Sequence, residues 1–154
     1  MDRRLGIDLV VVPFMAATDA SQLDLRARSA PTRRGSGQPP GELTDLALVD
    51  GRENVAQALI LRLLTPRTAL ADLGHAGYGS RLHELIGRNK TRAARALCRA
   101  FVLEAVAQES RVEPKAVAFE FDLDAETPSS LAFTVTVQPR AGGEPIGISL
   151  EVAL

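Results

Sequence analysis

Glu120, Asp122 and Asp124 alternate through the segment VAFEFDLD, and strand geometry would set neighbours on that face roughly 6.5–7 Å apart. That separation enters the window of about 6.5–9.5 Å used by inverting glycosidases, where one carboxyl protonates the leaving oxygen and the other activates a water. Such a pair needs two environments, one keeping a carboxyl protonated and one leaving its neighbour ionised. Three acids in a row on a polar strand face share a single environment. No catalytic residue is therefore assigned, and the charges read instead as a guard against unwanted edge pairing.

The other reactive residue types are sparse. His75 and His83 are the only histidines, with no cysteine or carboxylate at zinc-like spacing beside them, so no metal site is expected. Cys98 is alone and falls on an apolar helical stripe, which reads as a buried, inert thiol in a reducing compartment. Gly74, Gly77 and Gly79 lack the GxxxxGK[ST] spacing and follow a helical pattern rather than a strand. Tight turns account for them, and no cofactor or small-molecule substrate is expected.

The stretch QESRVEP, residues 108–114, holds a more telling pair. Glu109 and Arg111 stand where a long helical pattern gives way to strand alternation, a junction at which Gly or Asn would serve better as a stop. Arg111 could satisfy the last helix carbonyls, where a cation gains about 0.3–1 kcal/mol. A guanidinium held at a rigid corner could equally make bidentate contacts with a partner's carboxylate.

These residues must be positioned by one modest domain. The 154 residues carry 45% hydrophobic and 24% charged residues with a net charge of −1, ordinary for a globular chain and without the field that draws a protein to nucleic acid or anionic lipid. Trp is absent, with five Phe and one Tyr, too little stacking surface for a sugar cleft or single-stranded nucleic acid. Lys90 and Lys115 are the only lysines beside 16 arginines. That bias fits a GC-rich coding sequence as well as an interface that uses Arg forks.

Residues 1–18 read as an N-terminal strand or arm, with Asp8 and Pro13 interrupting the apolar run LGIDLVVVPFMAA. No run approaches the length of a membrane span. Residues 19–43 are rich in Pro, Gly, Ser and Arg, including Arg33 and Arg34, and read as a mobile loop. The main domain then spans 44–154. LALVDG predicts a short strand and turn, and Asp50 with Glu53 predicts a capping box opening a helix that buries Ala56, Leu59, Ile60, Leu63 and Leu64. Pro66 ends it. Ser80 opens a short helix burying Leu82, Leu85 and Ile86, closed by Gly87. Thr91 opens the longest helix, which buries Ala94, Leu97, Cys98, Phe101, Val102 and Ala105 and carries Arg88, Arg92, Arg95 and Arg99 on another side. That arginine row reads as a solvated face or as a surface for an acidic partner.

Beyond residue 116 the period changes to two. Val117, Phe119, Phe121 and Leu123 face inward, as do Leu131, Phe133, Val135 and Val137, then Ile146, Ile148, Leu150, Val152 and Leu154. The expected fold is α+β: about three helices packed on one face of a small antiparallel sheet, with a three-strand C-terminal meander.

The order LALVDGRENVAQALILRLLTPR, then DLGHAGYGSRLHELIG, then a long helix ending in EAVAQESRV resembles the lysozyme-like baseplate wedge family. That family comprises small subunits of contractile phage tails, type VI secretion baseplates and related contractile injection systems. The resemblance covers about residues 44–124. It implies a non-enzymatic, structural virion component or phage-tail-like part rather than a peptidoglycan hydrolase or a small Arg-rich adaptor, the alternatives the residues leave open. Its Glu-Pro-Arg motif falls on Glu109, Ser110 and Arg111, and its loop motif on Tyr78, Gly79 and Ser80. Ser110 stands where the family has Pro, and Thr68-Ala69 where relatives tend to carry Gly-Glu. The implied partners are larger wedge proteins, docked through a helical core bundle, and sheath subunits, whose first ring is templated by strand addition. No nucleic-acid or membrane partner is implied. The implied location is the cytoplasm of a producing bacterium, then the assembled baseplate.

Overall fold

A computed structural model describes residues 5–11, 16–17, 25, 27–30 and 43–154 of the chain. Most of the segment 19–43, with Arg33 and Arg34, lies outside the described residues, as do residues 1–4 and 12–15. The strands are β1 (Ile7–Leu9), β2 (Ala16–Ala17), β3 (Ala27–Ala30), β4 (Leu43–Leu46), β5 (Leu48–Asp50), β6 (Ala118–Phe121), β7 (Ser130–Val137) and β8 (Ile146–Ala153). The helices are α1 (Gly51–Leu64) and α2 (Arg92–Ala107).

Two features of the expected fold are overturned, although the class stays α+β. The first is the helix count. Ser80 to Gly87 forms only a 3-10 turn over Leu82–Leu85, so two α-helices are present among the described residues instead of about three. A segment this short gains little from helix propagation. Ser80 is also committed elsewhere, donating its hydroxyl to the Leu63 carbonyl at 2.6 Å. Leu82 and Leu85 are buried as expected, while Ile86 is exposed.

The second is the sheet. Among the described residues three separate sheets replace a single antiparallel one: β1 pairs with β5, β3 pairs with β4, and a four-stranded sheet runs β2-β8-β7-β6 with β2 parallel to β8. Of the N-terminal strands, β1 thus joins the strand before α1, while the two-residue β2 adds a short parallel edge to the C-terminal meander. β3 and β4 lie within or beside the stretch read from sequence as a loop.

α1 is the central element, packed against β8, α2, β1 and β5. This explains why Val55, Ala56, Leu59, Ile60 and Leu63 are buried together with Asn54 and Gln57. Asp50 occupies its N-cap in extended backbone, but its carboxylate makes no capping bond, so the predicted box is absent. Thr65 is extended ahead of Pro66, as steric exclusion before proline requires. In α2 the expected cap does form, with Thr91 Oγ1 accepting from the Ala94 N–H at 3.1 Å. Ala94, Cys98, Phe101, Val102, Ala105 and Val106 are its buried stripe.

β7 and β8 hold the pattern read from their period: Leu131, Phe133, Val135, Val137, Ile146, Ile148 and Leu150 are all buried. The register pairs Phe133 with Leu150 and Val135 with Ile148. β6 departs from expectation. It is only four residues long, and Val117 and Leu123 are exposed instead of inward-facing. Its C-terminal end is set by Asp122, whose Oδ1 accepts from the Asp124 and Ala125 N–H groups and turns the chain away.

Candidate functional site

The exit of α2 gathers residues from four parts of the chain. Glu109 is held in the turn by its N–H bond to the Val106 carbonyl, at 3.0 Å. Its carboxylate accepts from Arg111 three times: Nε at 2.8 Å, Nη2 at 3.2 Å and the Arg111 backbone N–H at 3.2 Å. Arg111 Nη1 reaches the Leu5 carbonyl at 3.2 Å. Arg62, from α1, brings Nη2 to 3.8 Å from Glu109 and lays its guanidinium 4.6 Å from the centre of the Tyr78 ring.

The structure therefore brings Tyr78 of one motif to the Glu109–Arg111 pair of the other, with Arg62 as the bridge. Arg62 is the member that sequence reasoning missed. A basic residue near the C-terminal end of a helix gave no sign that it would lie against a tyrosine and a buried carboxylate. The Glu109 side chain is 7% exposed, that of Arg62 14% and that of Arg111 26%. Burial pushes the Glu109 carboxyl up, but the Arg111 hydrogen bonds and charge, with the Arg62 charge, outweigh it and hold the carboxyl below its ordinary value. Burial raises the Tyr78 hydroxyl, partly offset by Arg62. Arg111 donates to Glu109 and Leu5, so the helix-capping alternative is not the arrangement present. Ser110 is exposed at the corner.

Gly79 and Ser80 close the loop that delivers Tyr78. The Ser80 N–H donates to the Thr65 carbonyl at 2.9 Å, and the Arg67 N–H donates to the Ser80 carbonyl at 2.7 Å. Gly79 has φ +102°, and a Cβ there would sit 2.5 Å from the Thr65 carbonyl oxygen. The glycine is thus required twice, for its left-handed backbone and for this close approach. In the same loop Thr68 adopts φ +76°.

A second polar clasp lies beside the first. Asn54 Nδ2 donates to the Leu5 carbonyl at 3.0 Å, while Gln57 donates to the Leu9 carbonyl at 2.7 Å and accepts from the Val11 N–H at 2.9 Å. Asn54 and Gln57 tie the N-terminal segment to α1, and Arg111 ties it to the α2 exit.

The remaining candidates separate. Glu120, Asp122 and Asp124 are exposed on and beside β6. His75 is exposed, and His83 sits 3.2 Å from the Ser80 carbonyl through Nδ1. Among the described residues no group of three His, Cys, Asp or Glu is placed to hold a metal ion. No described helix is long and apolar enough to cross a membrane. Cys98 is fully buried, and desolvation, reinforced by the nearby Glu126 charge, pushes its thiol up to about 12. Glu126 was unmarked in the turn DAETPSS, yet its side chain is only 3% exposed, with Arg95 bidentate at 2.5 and 2.6 Å and Lys90 at 2.7 Å. Those bonds overcome burial and lower its carboxyl to about 2. The arginine row is divided accordingly: Arg95 is committed to Glu126, and Arg99 lies over Phe119.

No protein-family model matches the chain, and no curated protein does. A crystal structure of a candidate tail lysozyme from Geobacter sulfurreducens is similar in three dimensions, with a TM-score of 0.60 at 16% identity. The match covers 71% of this chain and 96% of that one. Nearly all of that protein's fold is therefore contained in this chain, and the shared fold is that of a lysozyme-named tail protein.

Proposed function

We propose that this chain is a structural, non-enzymatic baseplate subunit of a contractile injection system or phage-like tail. The observation that carries the proposal is the fold shared with nearly the whole of a protein named as a tail lysozyme. The carboxylates favour structure over hydrolysis. Glu109 and Glu126 are buried and neutralised by arginine, while Glu120, Asp122 and Asp124 stand together in the open. Neither set offers the paired, dissimilar environments that acid–base cleavage uses.

In this reading the α2 exit docks on larger wedge proteins, and the C-terminal sheet accepts the first sheath subunits by strand addition. Glu109 works inside the subunit, holding Arg111 and Arg62 in place. Arg111 is the member with an open side, and it meets the partner's acidic residues. The test is affinity capture of the tagged chain from its producing cells, with mass spectrometry and electron microscopy of what is retained. Sheath and large wedge proteins are expected with the unaltered chain and absent with Arg111→Ala, whose folding is checked by circular dichroism. Particles that assemble normally on folded Arg111→Ala would remove the docking role.

The name of the similar structure favours one rival, a cell-wall hydrolase. Purified peptidoglycan incubated with the chain should keep its turbidity. Clearing that disappears in Glu120→Gln or Asp122→Asn would establish the hydrolase reading instead.

A further inference from the structure

Leu5 is where the N-terminal segment, the first turn of α1 and the exit of α2 converge. Its side chain is 4% exposed within the core. Its carbonyl accepts from the buried Asn54 amide at 3.0 Å and from Arg111 Nη1 at 3.2 Å, so both lone pairs are in use. Gly6 follows with φ +81°, and a Cβ there would lie 3.0 Å from Asn54 Nδ2 and 3.7 Å from Arg111 Nη1. Only glycine lets the chain turn over these two donors without strain.

Arg111 is held at every nitrogen of its guanidinium, Nε and Nη2 by Glu109 and Nη1 by Leu5. Each terminal nitrogen keeps a second N–H, and the side chain is partly open to solvent. Glu109 is close in sequence and also faces Arg62, so it fixes the guanidinium relative to its own turn. Leu5 is the contact that fixes it relative to the N-terminal segment. That segment has few other holds: the short ladder to β5, the Val10 N–H bonded to the Ala47 carbonyl at 2.9 Å, and the Gln57 clasp. Ile7 and Asp8 are exposed. An element with so few contacts opens at low cost, so one bond to Arg111 is a sizeable share of what seats it.

We infer that the N-terminal arm, residues 5–11, is a strap that positions Arg111: seating of the arm fixes the guanidinium through the Leu5 carbonyl, and engagement of Arg111 by an acidic partner tightens the arm in return. Asn54 and Gly6 are positioning residues that act on Arg111 through Leu5. The effect runs both ways because two linked equilibria shift each other by the same factor. A side chain already held loses less freedom on meeting a carboxylate, which favours the partner by roughly two- to tenfold in affinity. The inference rests on the tail-subunit reading for the partner alone, since the coupling of arm to Arg111 belongs to the free chain.

The test uses the full, isotope-labelled chain, free in solution, and reads hydrogen exchange by magnetic resonance. In Gly6→Ala the Arg111 Nε–H should exchange faster by roughly fivefold or more, while the β7–β8 ladder keeps its protection. Asn54→Leu, which preserves the buried volume and removes the amide donor, should give the same signal and serves if Gly6→Ala does not fold. In Arg111→Ala the Val10 and Val11 amides should exchange faster by a similar factor. Unchanged exchange at Arg111 in the arm variants, or loosening that spreads equally to the β7–β8 ladder, overturns the strap. Capture from producing cells keeps the two readings apart. Tail proteins retained in full by Gly6→Ala but lost with Arg111→Ala would refute the strap and keep the tail-subunit reading. Coupled exchange in the free chain, with no tail proteins captured by the unaltered chain, would refute the tail-subunit reading and keep the strap.

Discussion

Ion pairing decides what the charged residues of this chain can do. Glu126 is the clearest case, because its carboxyl is lowered to about 2 from an ordinary value near 4.5. A depressed folded-state pKa contributes stability that is present above the ordinary value and is lost as pH falls toward 2. Glu126→Gln should therefore unfold more easily at neutral pH, by about 2–3 kcal/mol. Denaturant melts of the two proteins should converge as the pH is lowered from about 4.5 to about 2; a gap constant with pH would deny the pair its role. Thr68 offers a different residue-scale test. A β-branched side chain at φ +76° is strained. Thr68→Gly should raise stability by about 1 kcal/mol, after the entropic cost of glycine is deducted. A lower melting temperature would mean that the Thr68 side chain contributes a contact worth more than the strain.

Between α1 and α2 the chain is a set of closures, and Gly79 is where they meet. Its missing Cβ admits the Thr65 carbonyl, which lets Ser80 bind both Thr65 and Leu63 and so hold the loop that carries Tyr78 to Arg62. Gly79→Ala combines a left-handed backbone with a backbone clash at 2.5 Å, and should cost about 3 kcal/mol or more. Gly74→Ala, equally left-handed at φ +84° but with nothing within 4 Å, should cost only about 1 kcal/mol. Urea unfolding distinguishes them, and equal losses would show that the loop base yields freely. The N-terminal segment is a weaker closure. It is held by a short ladder to β5 and by the side chains of Asn54, Gln57 and Arg111, so it should open in hydrogen exchange well before the β7–β8 ladder.

Across the whole molecule, one face of the C-terminal sheet is packed under the helices, and the outer sides of β2 and β6 are left without a described partner strand. Such an architecture suits a subunit that is completed by its neighbours. The assembly role predicts that the isolated chain clears no cell wall and that it enters tail particles through the α2 exit. Capture experiments with Arg111→Ala and the turbidity assay together decide between the structural and hydrolytic readings.

The periodic elements were legible in the chain alone. Leu131 to Val137 and Ile146 to Leu150 alternate, so β7 and β8 were determined by which side chains must leave water. Thr91, Pro66 and the stripe from Ala94 to Ala105 likewise defined α2 and the end of α1. Their signals are local, carried by residues within a turn or two of one another. What the tertiary structure alone decided was set by residues distant in sequence. Ser80 bonds to Leu63 and turns a predicted helix into a 3-10 turn, β1 pairs with β5, and Glu126 meets Arg95 and Lys90. Glu109 and Arg111 were visible as a pair in the sequence, but not that they would close on each other and on Leu5, 106 residues away in the chain. A charge's partner depends on which backbone approaches it, and that is a property of the fold.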